Sequence, residues 1–561
     1  ELYSNSFYKA LPTLKNGFMQ DKMCDVGAVS NTDTFIKQGA YNTETATSWS
    51  WGALKNVNYF IDGCNDPKYC TVEAETRDNY LGIARWFRAW FYYDKLTTYG
   101  EVPWFPNDIQ SYQNDVMYKD RDSRDVIIRN LIADLDFAYE HIQATSSTGS
   151  ATLTRWAAAA LKSRVCLFEA AYRRYHNLTG LEITPEELYR EAAKAAKLVI
   201  DNSGCSLNTA AGKKGAYRDL FYSETPLTQE VILAVCANEK SGIFGEQNWW
   251  FNARSYGLCW SLVRSFVHTY LKQDGTPFTA AADYAVKSFA EEMEGRDLRL
   301  EQTVRGRNFL WDGKTAVADI KNLSLTGYQV IKYTLDESKY DGGAKNINSI
   351  PLIRYAEVLL NYAEAQAELG VITDSEWALT VGALRKRAGI TGGTETLPTT
   401  VDSYLQRTFY PDVTSPVLLE IRRERAIELV AEGMRFDDLR RWKCGSLMET
   451  LPWSGIHIPG LEQPVDVNGD GVNDYYFTEG EVASAPAAYK NIAVRVNQDG
   501  VGLYAEANPV SGYDLVYKTG AGDRYWYPDG RQYLYPIPAK VIRDYRNAGY
   551  TISQNPEWDN E

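Results

Sequence analysis

The sequence predicts a mostly α-helical fold in which tetratricopeptide-like helix pairs support an irregular, loop-rich region. Three observations predict it. Long amphipathic runs with short polar interruptions fill most of residues 75–205 and return after Arg354. Between them, residues 202–349 change texture to aromatics, Gly, Asn and short β-branched runs such as Val231–Val235. After Cys444 the chain is loop-rich until about Pro538. The organisation expected is a single domain over 1–561. Its helical scaffold covers about 50–201 and 350–443, its loop-rich portion 202–349, and its loop-rich C-terminal portion 444–561.

Each helix follows from its apolar spacing. From Tyr80 to Thr98, Ile83, Phe87, Trp90, Phe91 and Leu96 share a face, and Gly100 with Pro103 ends the run. Ser123 to Ile142 begins on Ser/Asp and carries Val126, Ile127, Leu131, Leu135 and Ala138 as its stripe. Thr154 to Ala171 is Ala-rich, with Leu161, Val165 and Phe168 facing inward, and Pro185 to Ile200 is a further helix. Arg354 to Gly370 alternates large Tyr355, Leu359 and Tyr362 with small Ala356, Ala363 and Ala367, which permit close helix approach. Glu376 to Ala388 and Ser415 to Arg441 complete the second helical block, and Val541 to Ala548 forms a last short helix. Stacked helix pairs bury one face against the next, although no 34-residue self-similarity is visible in the sequence itself.

Composition excludes several functions. The net charge of −14, with no Lys/Arg-rich run, repels a phosphate backbone, so no nucleic-acid partner is expected. No stretch approaches about 18 consecutive apolar residues, so no helix spans a bilayer. Eight Cys are scattered without CxxC pairs or His at metal-ligand spacing. Cys166 and Cys236 read as inert core thiols, whereas Cys64 and Cys70 bracket the loop GCNDPKYC and are either a disulfide or two free thiols. Aromatics make up 13% of the chain, more than a core requires, and that surplus suggests stacking on ligands.

Four blocks in order carry a family resemblance. The first is Asn58-Tyr-Phe-Ile followed by GIARWFRAWFYYDKLTTYGEVPW from Gly82, and the second is DVIIRNLIADLDFA from Asp125 with the Ala-rich helix after Thr154. The third comprises RDLRL from Arg296, TGYQVIKY from Thr326, IRYAEVLLNYAEAQAELG from Ile353 and LRKRAGI from Leu384. The fourth is ERAIELVAEGMRFDDLRRWK from Glu424, closed by YPIP at Tyr535 and QNPEW at Gln554. Together they resemble the SusD/RagB family of outer-membrane nutrient-binding lipoproteins. The resemblance implies a SusD-like fold, a role in polysaccharide utilization and nutrient uptake, and a SusC-like TonB-dependent transporter as partner. It also implies an N-terminal lipid anchor on the outer membrane, facing outward. Glu1 opens the sequence and no Cys precedes Cys24, so signal peptide and anchor Cys are expected to lie outside this chain.

Charged residues at 424–441 read as structural. Arg425, Glu428, Glu432 and Arg435 share a stripe at i, i+3, i+7 and i+10, and the flanking Arg would keep both carboxylates ionised. They are expected to form an ion-pair network tying helices together. No nucleophile elbow, P-loop or HExxH is present, so the expectation is no enzyme and no catalytic residue.

Glycan recognition needs flat apolar faces with polar edges. The segment GEQNWWFNARSYGLCW offers Trp249, Trp250 and Trp260 among Asn252 and Arg254. Trp311, in the polar Gly-flanked loop GRNFLWDGK, is the leading candidate, because SusD-like proteins present binding aromatics from this interval. Trp49 is a further wall, whereas Trp86, Trp90, Trp156 and Trp442 fall on core stripes. The loop 466–477 is a separate signal. Asp466, Asn468 and Asp470 occupy positions 1, 3 and 5 of an EF-hand-type Ca²⁺ loop, Gly471 gives the turn, Val472 offers its carbonyl and Asp474 stands at 9. Position 12 is Phe477 in place of the usual Glu, with Glu479 two residues on. A structural calcium is the cofactor expected. The functional expectation is a glycan-capture protein; a peptide-binding RagB-type protein and a helical glycoside hydrolase are the alternatives.

Overall fold

A computed structural model describes residues 1–15, 21–210, 212–252 and 259–559. Strand β1 (Gly27–Ala28) precedes helix α1 (Gly52–Asn65) and α2 (Ala74–Tyr99), which Gly100, at φ +76°, brings to an end. Helices α3 (Arg124–His141), α4 (Arg155–Tyr175) and α5 (Pro185–Asn202) follow, each packed on its predecessor in the chain. Their starts are coded locally: the Ser123 hydroxyl accepts from Val126 N, and Thr184 with Glu187 closes a reciprocal cap around Pro185. Helix α4 is the centre of this block and is buried from Ala157 to Arg173. Ala157 to Ala160 bring neighbouring helices close, and its buried charges are paired: Arg164 with Glu357 (2.7 Å), and Glu169 with both Arg124 and Arg173 (2.6 and 2.7 Å).

The middle of the chain is irregular, as expected. It contains β2 (Val231–Val235), the short helix α6 (Gln247–Asn252), β3 (Ser261–Leu262) and the hairpin β4 (Leu310–Trp311) with β5 (Lys314–Thr315). Strand β3 pairs antiparallel with β1, and β2 pairs antiparallel with β6 (Ile350–Arg354), so the second helical block is tied to the loop region before it begins. Helix α7 (Tyr355–Glu368) then packs on α4 and α5.

Two predicted helices are broken. Glu376 to Ala388 is divided at Thr380 into α8 (Asp374–Leu379) and α9 (Val381–Arg387). Ser415 to Arg441 is divided into α10 (Pro416–Glu428) and α11 (Arg435–Arg441). The second break has a visible cause: Ala431 and Gly433 adopt φ of +63° and +80°, and the buried Lys332 Nζ donates to the Val430 carbonyl at 2.7 Å. The charged stripe is therefore not one helix face. Its members separate and take different sets of partners, with Arg354 shared by Glu428 and Glu432. Arg425 pairs with Asp438 (2.8 Å), Glu428 with Arg299, Arg354 and Arg387, Glu432 with Arg354 and Lys332, and Arg435 with Asp25 (2.6 Å). The ion pairs expected from the sequence are present in three groups, buried except for the half-buried Glu432: Arg435 with Asp25, Arg425 and Arg441 on Asp438, and Glu428 with Glu432 around Arg354.

The C-terminal portion is more ordered than its loop-rich texture suggests. Strands β7 (Ser454–Ile458), β8 (Pro464–Val465), β9 (Tyr475–Thr478), β10 (Ala493–Arg495), β11 (Leu503–Ala507) and β12 (Tyr513–Tyr517) form two three-stranded sheets, ordered β11-β12-β7 and β10-β9-β8. Strands this short leave little periodicity to read. Helix α12 (Ala539–Asn547) is the short helix expected near the end. Beside it the two motifs YPIP and QNPEW close the chain on its own beginning. Tyr535 stacks on Phe35 at 3.9 Å, and Asn555 Nδ2 donates to the carbonyls of Tyr99 and Tyr535.

Cys166 is buried and its thiol is pushed up to about 12 by desolvation, consistent with an inert core thiol; Cys236 is only half-buried. Cys64 and Cys70 are half-buried, and burial together with the neighbouring Cys70 thiol pushes the Cys64 thiol up to about 11. Exchange with an oxidised dithiol is expected to join them, lowering the intact mass by about 2 Da relative to the reduced chain. Cys64→Ser removes that difference; an unchanged mass under oxidising exchange excludes the bond.

Candidate functional site

The loop region assembles one patch from residues far apart in sequence. In the hairpin β4–β5, Asp312 and Gly313 take positive φ, and strand alternation puts Phe309 and Trp311 on the same side, with ring centroids 6.4 Å apart and ring planes inclined by 29°. The Arg305 guanidinium lies 5.2 Å from both ring centroids. Its backbone N–H donates to the Gln329 carbonyl, and the Gln329 amide donates in turn to Asn252 Oδ1 at 3.2 Å. Asn252 Nδ2 donates to Asp341 Oδ1 at 3.1 Å. On the other edge Arg218 pairs with Asp336 (2.6 Å) and sits against Phe309 and Tyr222.

Helix α6, which ends at Asn252, also carries Trp249 and Trp250. Their rings meet edge to face at 4.9 Å, and both are half-buried. Trp250 Nε1 is buried with no hydrogen-bond partner. Trp311 is half-buried, which leaves ring area for a ligand. Burial raises the Asp341 carboxyl above its ordinary range, opposed by the Asn248 and Asn252 amides, and burial lowers the Arg305 guanidinium. A half-exposed indole, a buried cation beneath it and an amide–carboxylate edge can stack a sugar ring and bond its hydroxyls.

The expected residues do not all belong here. Trp260 is 3% exposed and packs so tightly on Gly27 that a Cβ at that position would lie 2.6 Å from its ring; it belongs to the core beside β1 and β3. Trp49 is placed with Trp51 and Tyr99 at the start of α1, away from this patch. Arg254 lies outside the described residues. Sequence reasoning missed Arg305, Phe309, Gln329 and Asp341. The alternation of Phe309 and Trp311 was a usable signal; Gln329 and Asp341 reach the patch only through the fold.

Of the 466–477 segment, residues 466–474 join β8 to β9 and the rest lies in β9, so a strand and not a helix stands on each flank. Asp466 Oδ1 and Oδ2 accept from Gly469 N (2.7 Å) and Gly471 N (2.8 Å), Asp470 Oδ1 accepts from Val472 N (2.9 Å), and Asp474 Oδ2 accepts from Val467 N (2.8 Å). Asn468 Nδ2 donates to Asp470 Oδ2 at 3.1 Å. Gly471 turns at φ +88°, as position 6 requires. Phe477 is fully buried in β9, and Glu479 is held by Asn497 at 2.7 Å, so neither completes a ligand set. Among the described residues no three His, Cys, Asp or Glu side chains are grouped to hold a metal ion.

A second carboxylate pair lies near β7. Glu292 and Asp514 both bond Arg264; Glu292 also takes His268 (3.0 Å) and Tyr328 (2.5 Å), and Asp514 takes His457 (3.0 Å). Burial alone would raise Glu292, but Arg264 and His268 bring it down to about 2, and His457 with Arg264 lowers Asp514 in the same way. Both shifts favour the ionised carboxylate, opposite to the raised carboxyl of a general acid in glycoside hydrolysis.

The SusD family profile matches residues 229–558, more than half of the chain. The chain belongs to the SusD family. Its fold is shared with solved structures of low identity, which the SusD family chain covers almost end to end. A SusD-like protein from Bacteroides fragilis is 20% identical, with TM-score 0.66, covering 99% of this chain and 96% of the other. A SusD-like carbohydrate-binding protein from the same species is 18% identical, with TM-score 0.68 and coverage of 98% and 97%. A structure solved with a xylogluco-oligosaccharide is 15% identical, with TM-score 0.58 and coverage of 100% and 98%. No curated protein sequence matches. Among the described residues no helix is long and apolar enough to cross a membrane.

Proposed function

We propose that this SusD-family chain is a cell-surface, non-catalytic glycan-binding protein that captures oligosaccharide or polysaccharide on the Trp311 patch. It passes its cargo to a SusC-like TonB-dependent transporter, held beside it by a lipid anchor on the outer membrane. The observation that carries the binding reading is the half-exposed Trp311, backed by Arg305 and edged by the Asn252 and Asp341 pair. One structural relative described as a carbohydrate-binding protein and another solved with a xylogluco-oligosaccharide support the same class of cargo. The shifts of Glu292 and Asp514 toward the ionised carboxylate support binding without hydrolysis.

Electrophoresis through gels containing neutral plant or storage polysaccharides tests both halves of this reading. Retardation with no new reducing ends is the expected result; reducing ends that disappear on Glu292→Gln or Asp514→Asn overturn the non-catalytic half, and no retardation by any glycan overturns the binding half. The loop at Asp466 carries a smaller proposal: its turn suits a weak Ca²⁺ site using Asp466, Asn468, Asp470, Asp474 and the Val472 carbonyl. Millimolar calcium is expected to raise the melting temperature by about 1–2 °C relative to EDTA, by mass action on the folded state. Asp470→Ala cancels that rise, and equal melting in calcium and EDTA removes the site.

A further inference from the structure

A cleft of about 800 Å³ opens between the start of α1, the segment 105–118 and α12, and shares no residue with the Trp311 patch. That volume falls in the range of roughly 300–1,000 Å³ typical of small-ligand sites. Its walls are aromatic. Trp49 and Trp51 meet edge to face at 5.3 Å on one side, Phe105 packs on Trp51 at 5.2 Å, and Tyr118 meets Tyr545 at 5.1 Å on the other. Trp49, Trp51 and Tyr118 remain half-exposed. The floor is rigid: Asn58, 1% exposed, donates to the carbonyls of both Phe105 and Asn107.

The helix that opens into this cleft breaks the usual capping rules. Trp51 stands at its N-cap and provides no side-chain acceptor, no acidic residue occupies the first turn, and Lys55 follows directly. Gly52 and Leu54 line the cleft, so backbone donors of the first turn remain for acceptor oxygens of a ligand. At the rim Arg543 pairs with Glu44 (2.5 Å) and Lys540 with Asp544 (2.6 Å), Lys55 stands outside those two pairs, and the chain as a whole carries −14. The overall charge disfavours an anionic polymer and leaves a neutral one as the better fit.

We infer that this cleft is a second carbohydrate site, taking the end of a neutral oligosaccharide between the Trp49/Trp51 and Tyr118/Tyr545 walls. It goes beyond the Trp311 reading and stands without it. The test is calorimetric titration of the full chain with cello-, xylo-, malto- and xyloglucan-derived oligosaccharides in three backgrounds: Trp311→Ala alone, with Trp49→Ala, and with Val541→Trp. The last fills the cleft from α12 and removes no core ring, so it is informative even if loss of Trp49 disturbs folding. Residual binding in Trp311→Ala, weakened at least about tenfold by either cleft substitution, is the expected result. Residual binding that survives both, or none at all in folded Trp311→Ala, overturns the second site. Cleft variants that abolish binding which Trp311→Ala leaves untouched overturn the Trp311 reading and keep this one. A wild-type chain that binds none of the panel overturns both.

Discussion

Glu428→Gln is expected to lower stability by about 3–5 kcal/mol, because it leaves buried guanidiniums short of a counter-charge. The side chain is fully buried and touches three of them: Arg299 at 2.8 Å, Arg354 at 2.6 Å and Arg387. Arg299 keeps Asp297 and Glu424, and Arg354 keeps Glu230 and Glu432, but Arg387 is left with Glu230 alone. Urea denaturation measures the loss as a lower midpoint at constant slope; a midpoint equal to that of the parent chain would show that the remaining carboxylates suffice. The same residue has a pH signature. Burial alone would raise its carboxyl, but the three guanidiniums overcome burial and hold it well below its usual 4.5. The folded value lies below the unfolded one, so its stabilisation is complete above the unfolded range and is lost as the pH falls toward the folded value. In Glu428→Gln that part of the acid limb is expected to flatten.

Trp311→Ala is expected to weaken glycan binding at the patch by at least about tenfold, and to move the melting temperature by no more than about 1 °C. The two readouts separate for a structural reason: the ring is half-exposed on a two-residue strand, so removing it empties the surface but opens no core cavity. Arg305 loses a ring partner and keeps Phe309. Trp311→Phe, which preserves a flat face, is expected to recover part of the affinity. Unchanged affinity in Trp311→Ala with an intact fold would take the leading residue out of the site and move attention to Trp249 and Trp250.

Much of the scaffold was legible because its signals are local. The Ser123 and Thr184 caps, the stripe on α3 and the alanines of α4 each specify their element within a few residues. The split between α10 and α11 was not, because the break is stabilised by Lys332, about a hundred positions away, and the sequence there reads as good helix. The charged stripe shows the same limit from the other side. The pairing of Arg425, Glu428, Glu432 and Arg435 was readable from Arg and Glu alternating along the chain, but the single helix stripe inferred from their spacing and the identity of their partners were not. At the site, Trp311 and Asn252 were identified from their surroundings in the chain, whereas Arg305, Gln329 and Asp341 connect them only in three dimensions. Trp260 misled because an indole in a polar segment looks exposed until Gly27 packs against it.

The closure of residues 35–41 onto residues 524–558 sets this fold apart from an open stack of helix pairs. Gln532 donates to the Phe35 carbonyl, Tyr525 N donates to the Ile36 carbonyl, and Asp25 is locked to Arg435. In an open stack a cut between repeats frees each piece to fold or melt alone. Here a single proteolytic nick in an exposed loop, such as the one around Val472, would leave both pieces interlocked, migrating as one particle until denaturant separates them. The protein should therefore melt as one unit rather than helix pair by helix pair, and neither half should fold when expressed by itself.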